Sequence, residues 1–153
     1  MGQFRAACEA LAEGALALGV PYVSGNVSFY NETPQGAIPP TPVLMGVGIV
    51  EDIRSCATSD LKAEGELWLV GPTGTEMGAS LVSRTFGCAE GALPPVDFAT
   101  LVPRMEALVT AIAEGEVVAC HDLSAGGLAV ALAEMCLSGN GAAVELPSGP
   151  EAM

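Results

Sequence analysis

Two short stretches carry side chains whose types and spacing could do chemistry. The first is SGNVSFYNET, residues 24–33. In an extended segment side chains alternate, so Asn26 and Ser28 share one face while Val27 and Phe29 share the other. The amide oxygen of Asn26 is a hard donor suited to Mg²⁺, and the Ser28 hydroxyl can donate to a phosphate or a carbonyl. Gly25 lets another group approach the backbone closely. The same residue types also describe a half-buried edge strand followed by turn residues, and on types alone that plainer reading prevails.

The second stretch is ACHDLSAGGL, residues 119–128, a small-residue loop between an apolar run and a helical pattern. Backbone N–H groups at Gly126, Gly127 and Leu128, with a helix dipole behind them, would form an anion seat. Asp122 could hold a metal that bridges to that anion. The alternative is a tight turn in which Asp122 or Ser124 caps the helix. No Lys-Ser/Thr follows the glycines, so this is not a Walker-type loop. His121 is the only histidine; with no partner evident it reads as structural rather than as a general base. Neighbours on a strand face opposite ways, which excludes a Cys120–His121 dyad. A third glycine-rich stretch, GPTGTEMG (71–78), reads as a strand-to-helix turn capped by Thr73 or Thr75.

These stretches must be positioned by regular elements. Phe4, Ala7, Cys8, Leu11, Ala15 and Leu18 recur at helical spacing, and Gly19 and Pro21 close that helix. Tyr22–Val23 reads as a short strand, 31–42 as a loop, and the nearly continuous apolar run 43–50 as a buried strand. Charges and small polar residues cluster between Glu51 and Glu66, which sets the expected division: 1–56, a linker at 57–66, and 67–153. In the last part, 67–70 reads as a strand, 76–86 as a short helix, and Leu101, Met105, Leu108, Val109 and Ile112 as the stripe of a long helix. Pro103 is tolerated in a first turn, so Thr100 is the expected N-cap, with Gly115 at the far end. Strands are expected at 117–120 and 143–146, with a helix between them on the stripe Leu128, Ala131, Leu132, Met135. The mixed order predicts α+β or α/β layers.

Composition narrows the function. Of 153 residues half are hydrophobic, and mean hydropathy is positive, so a buried core is expected. A net charge of −13 with five Lys and Arg argues against nucleic-acid binding. Any phosphorylated ligand would need backbone amides, a metal or another chain. Five scattered cysteines without a C-x-x-C pair read as buried reduced thiols, and a cytoplasmic location follows. No signal-peptide pattern and no run of about 18 apolar residues is present, so no membrane association is expected.

SGNVSFYNET, followed by a proline-rich loop and PTPVLMGVGIVEDI, resembles the second half of the phosphoribosylformylglycinamidine synthase family, and ACHDLSAGGLAVALAEMCLSG is similar to that family's later HD-x-S-x-GGL segment. The glycine pair is shared with the wider aminoimidazole ribonucleotide synthetase superfamily. The resemblance implies the end of an N-terminal-type α+β domain followed by a truncated C-terminal-type α/β domain. It implies an ATP-dependent ligase of purine biosynthesis that turns formylglycinamide ribonucleotide and glutamine-derived ammonia into the amidine. Carried across the matching motif, Gly25 would contact ATP, Asn26 would ligate Mg²⁺, and Ser28 would touch the ribonucleotide. Asp122 and Ser124 match metal and nucleotide positions of a second, pseudo-symmetric site, where Ala125 replaces a common Asp. The family's catalytic histidine lies upstream, so no catalytic residue is expected here and the piece alone should be inactive. Implied partners are the remaining domains, a glutaminase subunit and a small bridging subunit. The alternatives are a non-catalytic scaffold half of the pseudo-dimer, or another ATP-using member of the superfamily. An excised piece should expose apolar surface where its partners would sit.

Overall fold

The computed structural model describes residues 2–28, 30–87 and 91–145. The chain divides into two compact units, Met1–Val50 and Glu51–Met153.

Unit 1 opens with helix α1, Gly2–Leu18. It ends as the periodicity predicts. Gly19 takes φ +66°, a left-handed conformation that costs a glycine little, and Val20 N–H returns to the Ala15 carbonyl at 3.0 Å. Ala7, Leu11 and Ala15 are half-buried on one face, while Phe4 and Leu18 are exposed. The expected loop 31–42 contains a small antiparallel hairpin, β1 (Glu32–Thr33) and β2 (Gly36–Ala37), with Thr33 opposite Gly36. Thr33 holds the turn: its hydroxyl accepts from Gln35 N–H at 3.2 Å and donates to the Gly36 carbonyl at 3.1 Å.

The expected strands at 22–23 and 43–50 do not form. Tyr22 instead donates its hydroxyl proton to the Leu11 carbonyl, 3.2 Å away. The run 43–50 is exposed throughout. A strand exists only when a neighbour accepts and donates along its edge, and among the described residues β1–β2 is the only sheet.

Unit 2 begins with a 3₁₀ turn, Ile53–Ser55. Asp52 caps it through Arg54 N–H at 2.9 Å, and the Arg54 guanidinium closes an ion pair at 2.7 Å. The guanidinium hydrogen bonds hold the Asp52 carboxyl below the usual carboxylate range and raise Arg54 in turn.

Helix α2 spans Leu81–Phe86, shorter than the expected 76–86. Ser80, not Thr73 or Thr75, caps it by accepting from Ser83 N–H at 3.1 Å. The segment before it does not coil: Ala79 takes φ +60°, a left-handed conformation that interrupts a helix, and Gly78 N–H bonds the Ala92 carbonyl at 2.9 Å. Helix α3 spans Phe98–Ala113, and its N-cap is Asp97 rather than Thr100. The Asp97 carboxylate accepts from Ala99 N–H at 3.1 Å and from the Thr100 hydroxyl at 2.8 Å, so Thr100 serves as the cap's partner. Pro103 therefore lies inside the helix, beyond the first turn. Asp97→Ala is expected to destabilise unit 2 by about 1 kcal/mol, read as a lower urea midpoint; Asp97→Ser should recover most of it.

Helix α4 is Gly127–Met135. Its stripe follows the expected pattern, with Ala131 and Met135 buried and Leu128 and Leu132 half-buried. The expected strand 117–120 is reduced to one parallel bridge between Ala119 and Thr58, closed by Cys120 N–H to the Thr58 carbonyl at 3.0 Å. The runs 67–70 and 143–145 are irregular, and Leu146 lies outside the described residues. Trp68 is 81 % exposed and donates to Glu66 at 3.1 Å.

Helix and hairpin are thus mixed as expected, but no layered sheet forms among the described residues. Among the described residues the expected core is likewise reduced to Ala131 and Met135, with Ser83 the buried polar residue. The thiols are not buried either: Cys8 and Cys56 are exposed, Cys120 and Cys136 half-buried, and Cys88 lies outside the described residues. Among the described residues, apolar runs such as 43–50 have no neighbouring layer to pack against.

Candidate functional site

Residues 24–28, in unit 1, adopt no regular element and are exposed. The alternation inferred from the sequence still brings Asn26 and Ser28 to one side: Asn26 Nδ2 lies 3.4 Å from Ser28 Oγ. With the amide nitrogen turned toward Ser28, the Asn26 oxygen is left for another partner. Asn31 Nδ2 donates to the Ser28 carbonyl and braces the backbone there. Gly25 lines an open groove of about 530 Å³ together with Cys8 and Leu11 of α1 and with Tyr22 and Ser24. Nothing lies within 4 Å of the position a Gly25 side chain would take, so its backbone is open to approach. Val27, one of the two expected anchors, is 61 % exposed instead of buried, and Phe29 lies outside the described residues.

The second stretch lies in unit 2. Gly126 is the N-cap of α4, with no side chain bonded to it, so neither Asp122 nor Ser124 caps the helix. The Ser124 carbonyl instead accepts Gly127 N–H at 3.0 Å and closes a turn. That turn corrects the expected anion seat, since one of its three N–H groups is already used. The Ala125 carbonyl accepts Leu81 N–H at 2.8 Å, which ties the loop to the start of α2. Asp122 presents a carboxylate that is 85 % exposed.

His121 is only 18 % exposed, and both its nitrogens face oxygen atoms. Nδ1 is 2.8 Å from the Asp122 carbonyl oxygen and Nε2 is 3.2 Å from Glu134 Oε2. Glu134 is the residue that sequence reasoning missed. A signal was available, because it is the single charged side chain in the nine-residue helix GLAVALAEM.

Among the described residues no group of three or more His, Cys, Asp or Glu could hold a metal ion. Asn26 and Asp122 nevertheless supply hard oxygen donors that face outward. That chemistry fits Mg²⁺, which commonly takes one or two protein oxygens and completes its shell with phosphate and water. No helix among the described residues is long and apolar enough to cross a membrane.

Residues 62–153 match the family model for the AIR synthase related protein, C-terminal domain. The chain belongs to the AIR synthase related family. It is 47 % identical over 158 residues to the phosphoribosylformylglycinamidine synthase subunit PurL of Rhodospirillum rubrum, covering 99 % of this chain and 21 % of that protein. It is 47 % identical over 150 residues to the PurL subunit of Rhodopseudomonas palustris, covering 96 % and 20 %. The PurL subunit of Thermomicrobium roseum is 45 % identical over 135 residues, covering 87 % and 18 %. This member of the AIR synthase related family thus spans about a fifth of the length of the curated relatives it matches. No solved structure matches it.

Proposed function

We propose that the chain is part of an ATP-dependent carbon–nitrogen ligase of the phosphoribosylformylglycinamidine synthase type, acting in purine biosynthesis. The observation that carries this reading is the identity of 47 % across 99 % of the chain to a subunit of that name. In the proposed reaction the glycinamide carbonyl oxygen of formylglycinamide ribonucleotide attacks the γ-phosphorus of ATP and ADP leaves. Ammonia, released from glutamine by a partner glutaminase subunit, then adds to the activated carbon. Phosphate departs, and the amidine remains.

The chain's own contribution is to bind and orient. Gly25 lies against ATP through its open backbone, Asn26 offers its amide oxygen to the nucleotide's Mg²⁺, and Ser28 donates to the ribonucleotide. Bound Mg²⁺ would neutralise phosphate charge, which a chain of net charge −13 cannot do with its own cations. Asp122 and Ser124 form a second metal and nucleotide position in unit 2. The remaining domains of the synthase, together with the glutaminase and a small bridging subunit, complete the sites.

Calorimetric titration of the chain with ATP and Mg²⁺ tests the reading. Binding that is lost in Asn26→Ala but kept in Asp122→Ala supports the placement at residues 25–28. The reverse pattern moves the nucleotide to unit 2. Absence of binding in a chain shown folded by circular dichroism favours a scaffold role, for which the exposed run 43–50 is the supporting feature.

A further inference from the structure

We infer that Asn31 is a positioning residue that ties the Ser28 backbone to the hairpin β1–β2 and so sets where the Ser28 hydroxyl stands. The inference rests on the proposed contact of Ser28 with the ribonucleotide. Residues 24–28 belong to no regular element, so their conformation depends on individual contacts. Asn31 supplies two bonds of this kind. Its side-chain Nδ2 donates to the Ser28 carbonyl, and its own backbone carbonyl accepts Ile38 N–H at 3.0 Å. The second bond continues the hairpin ladder beyond the Glu32–Ala37 pair, so the main chain of Asn31 is held by the hairpin. The side chain passes that constraint to a residue three positions back, across a short ring that costs little closure entropy. A carbonyl held in direction fixes the peptide plane that follows Ser28, and with it the backbone from which the hydroxyl side chain leaves. Asn26 Nδ2 approaches Ser28 Oγ only to 3.4 Å, too long to hold it alone. The brace is exposed to water, so its effect is that of one ordinary hydrogen bond.

The test is steady-state kinetics of the full-length synthase with formylglycinamide ribonucleotide as the varied substrate, in Ser28→Ala, Asn31→Ala and the double variant. Asn31→Ala is expected to raise KM for the ribonucleotide about threefold to tenfold, with kcat changed by less than about twofold. In the Ser28→Ala background the same change should add little, because the two residues act as a unit. A full Asn31 effect in that background overturns action through Ser28. Asn31→Asp keeps the shape but carries acceptors only, so it should lose as much as Asn31→Ala. Asn31→Gln, which keeps the donor, should recover part of the loss. A wild-type KM in Asn31→Asp overturns the brace. The urea midpoint of Asn31→Ala should stay unmoved, since the residue is exposed; a lowered midpoint together with a falling kcat marks a structural role and overturns the positioning one. A raised KM in Ser28→Ala with none in Asn31→Ala sinks the brace and leaves the Ser28 contact standing. An unchanged KM in Ser28→Ala removes that contact, and the inference with it.

Discussion

Replacing Asn26 by Ala in the full-length synthase is expected to lower kcat/KM by about 10²–10³-fold. The expectation follows from the proposed ligand role and from what else the side chain does. Among the described residues its side chain makes the 3.4 Å approach of Nδ2 to Ser28 Oγ, which is long and weak. Asn26 is exposed, so its removal should change stability by no more than about 0.5 kcal/mol. The loss should therefore fall on turnover and on the apparent affinity for Mg²⁺·ATP, with the urea midpoint unmoved. Asn26→Asp, which keeps an oxygen at the same place, should retain more activity than Asn26→Ala. Steady-state kinetics across a Mg²⁺ series checks this, and full activity in Asn26→Ala would remove Asn26 from the ligand set.

The second large effect concerns the fold of unit 2. Gly78→Ala is expected to destabilise it by about 1–3 kcal/mol. A Cβ at Gly78 would stand against the Gly91 carbonyl oxygen and 2.6 Å from that of Ala92. Both are backbone atoms and cannot rotate aside. The Gly78 N–H bond to the Ala92 carbonyl at 2.9 Å would stretch as the two strands of chain separate, at a further cost of about 1 kcal/mol. Gly74→Ala is the control. There the atoms nearest the new methyl belong to the far end of the Glu76 side chain, which can swing into solvent, so the change should stay within about 0.5 kcal/mol. Urea unfolding of the two variants beside wild type checks the contrast. Equal midpoints for both would mean that the 78–91 approach contributes nothing to stability.

Helices α1, α3 and α4 were legible because helix formation is local. Every backbone bond of a helix closes within four residues, and the apolar stripes and Gly19 or Gly115 stops lie on the same stretch of chain. Their exact starts were less so. Asp97 and Thr100 are both good caps by type, and the choice between them depended on which oxygen reached Ala99 N–H. The expected strands fared worst, because apolar runs such as 43–50 state that a residue wants burial without supplying the neighbour that buries it.

At the candidate site, alternation was sufficient to put Asn26 beside Ser28; the ligand roles of Gly25, Asn26, Ser28, Asp122 and Ser124 came from the family resemblance and stand as proposals. Family membership, too, was legible in the two motifs, their order and their spacing. What only the tertiary structure decided are the contacts between residues distant along the chain or in unrelated local patterns. The Ala125 carbonyl takes Leu81 N–H, Gly78 lies against Gly91 and Ala92, and His121 meets Glu134 from the far end of a helix. Such pairings depend on how separate segments fold back on one another, and no periodicity within either segment encodes that.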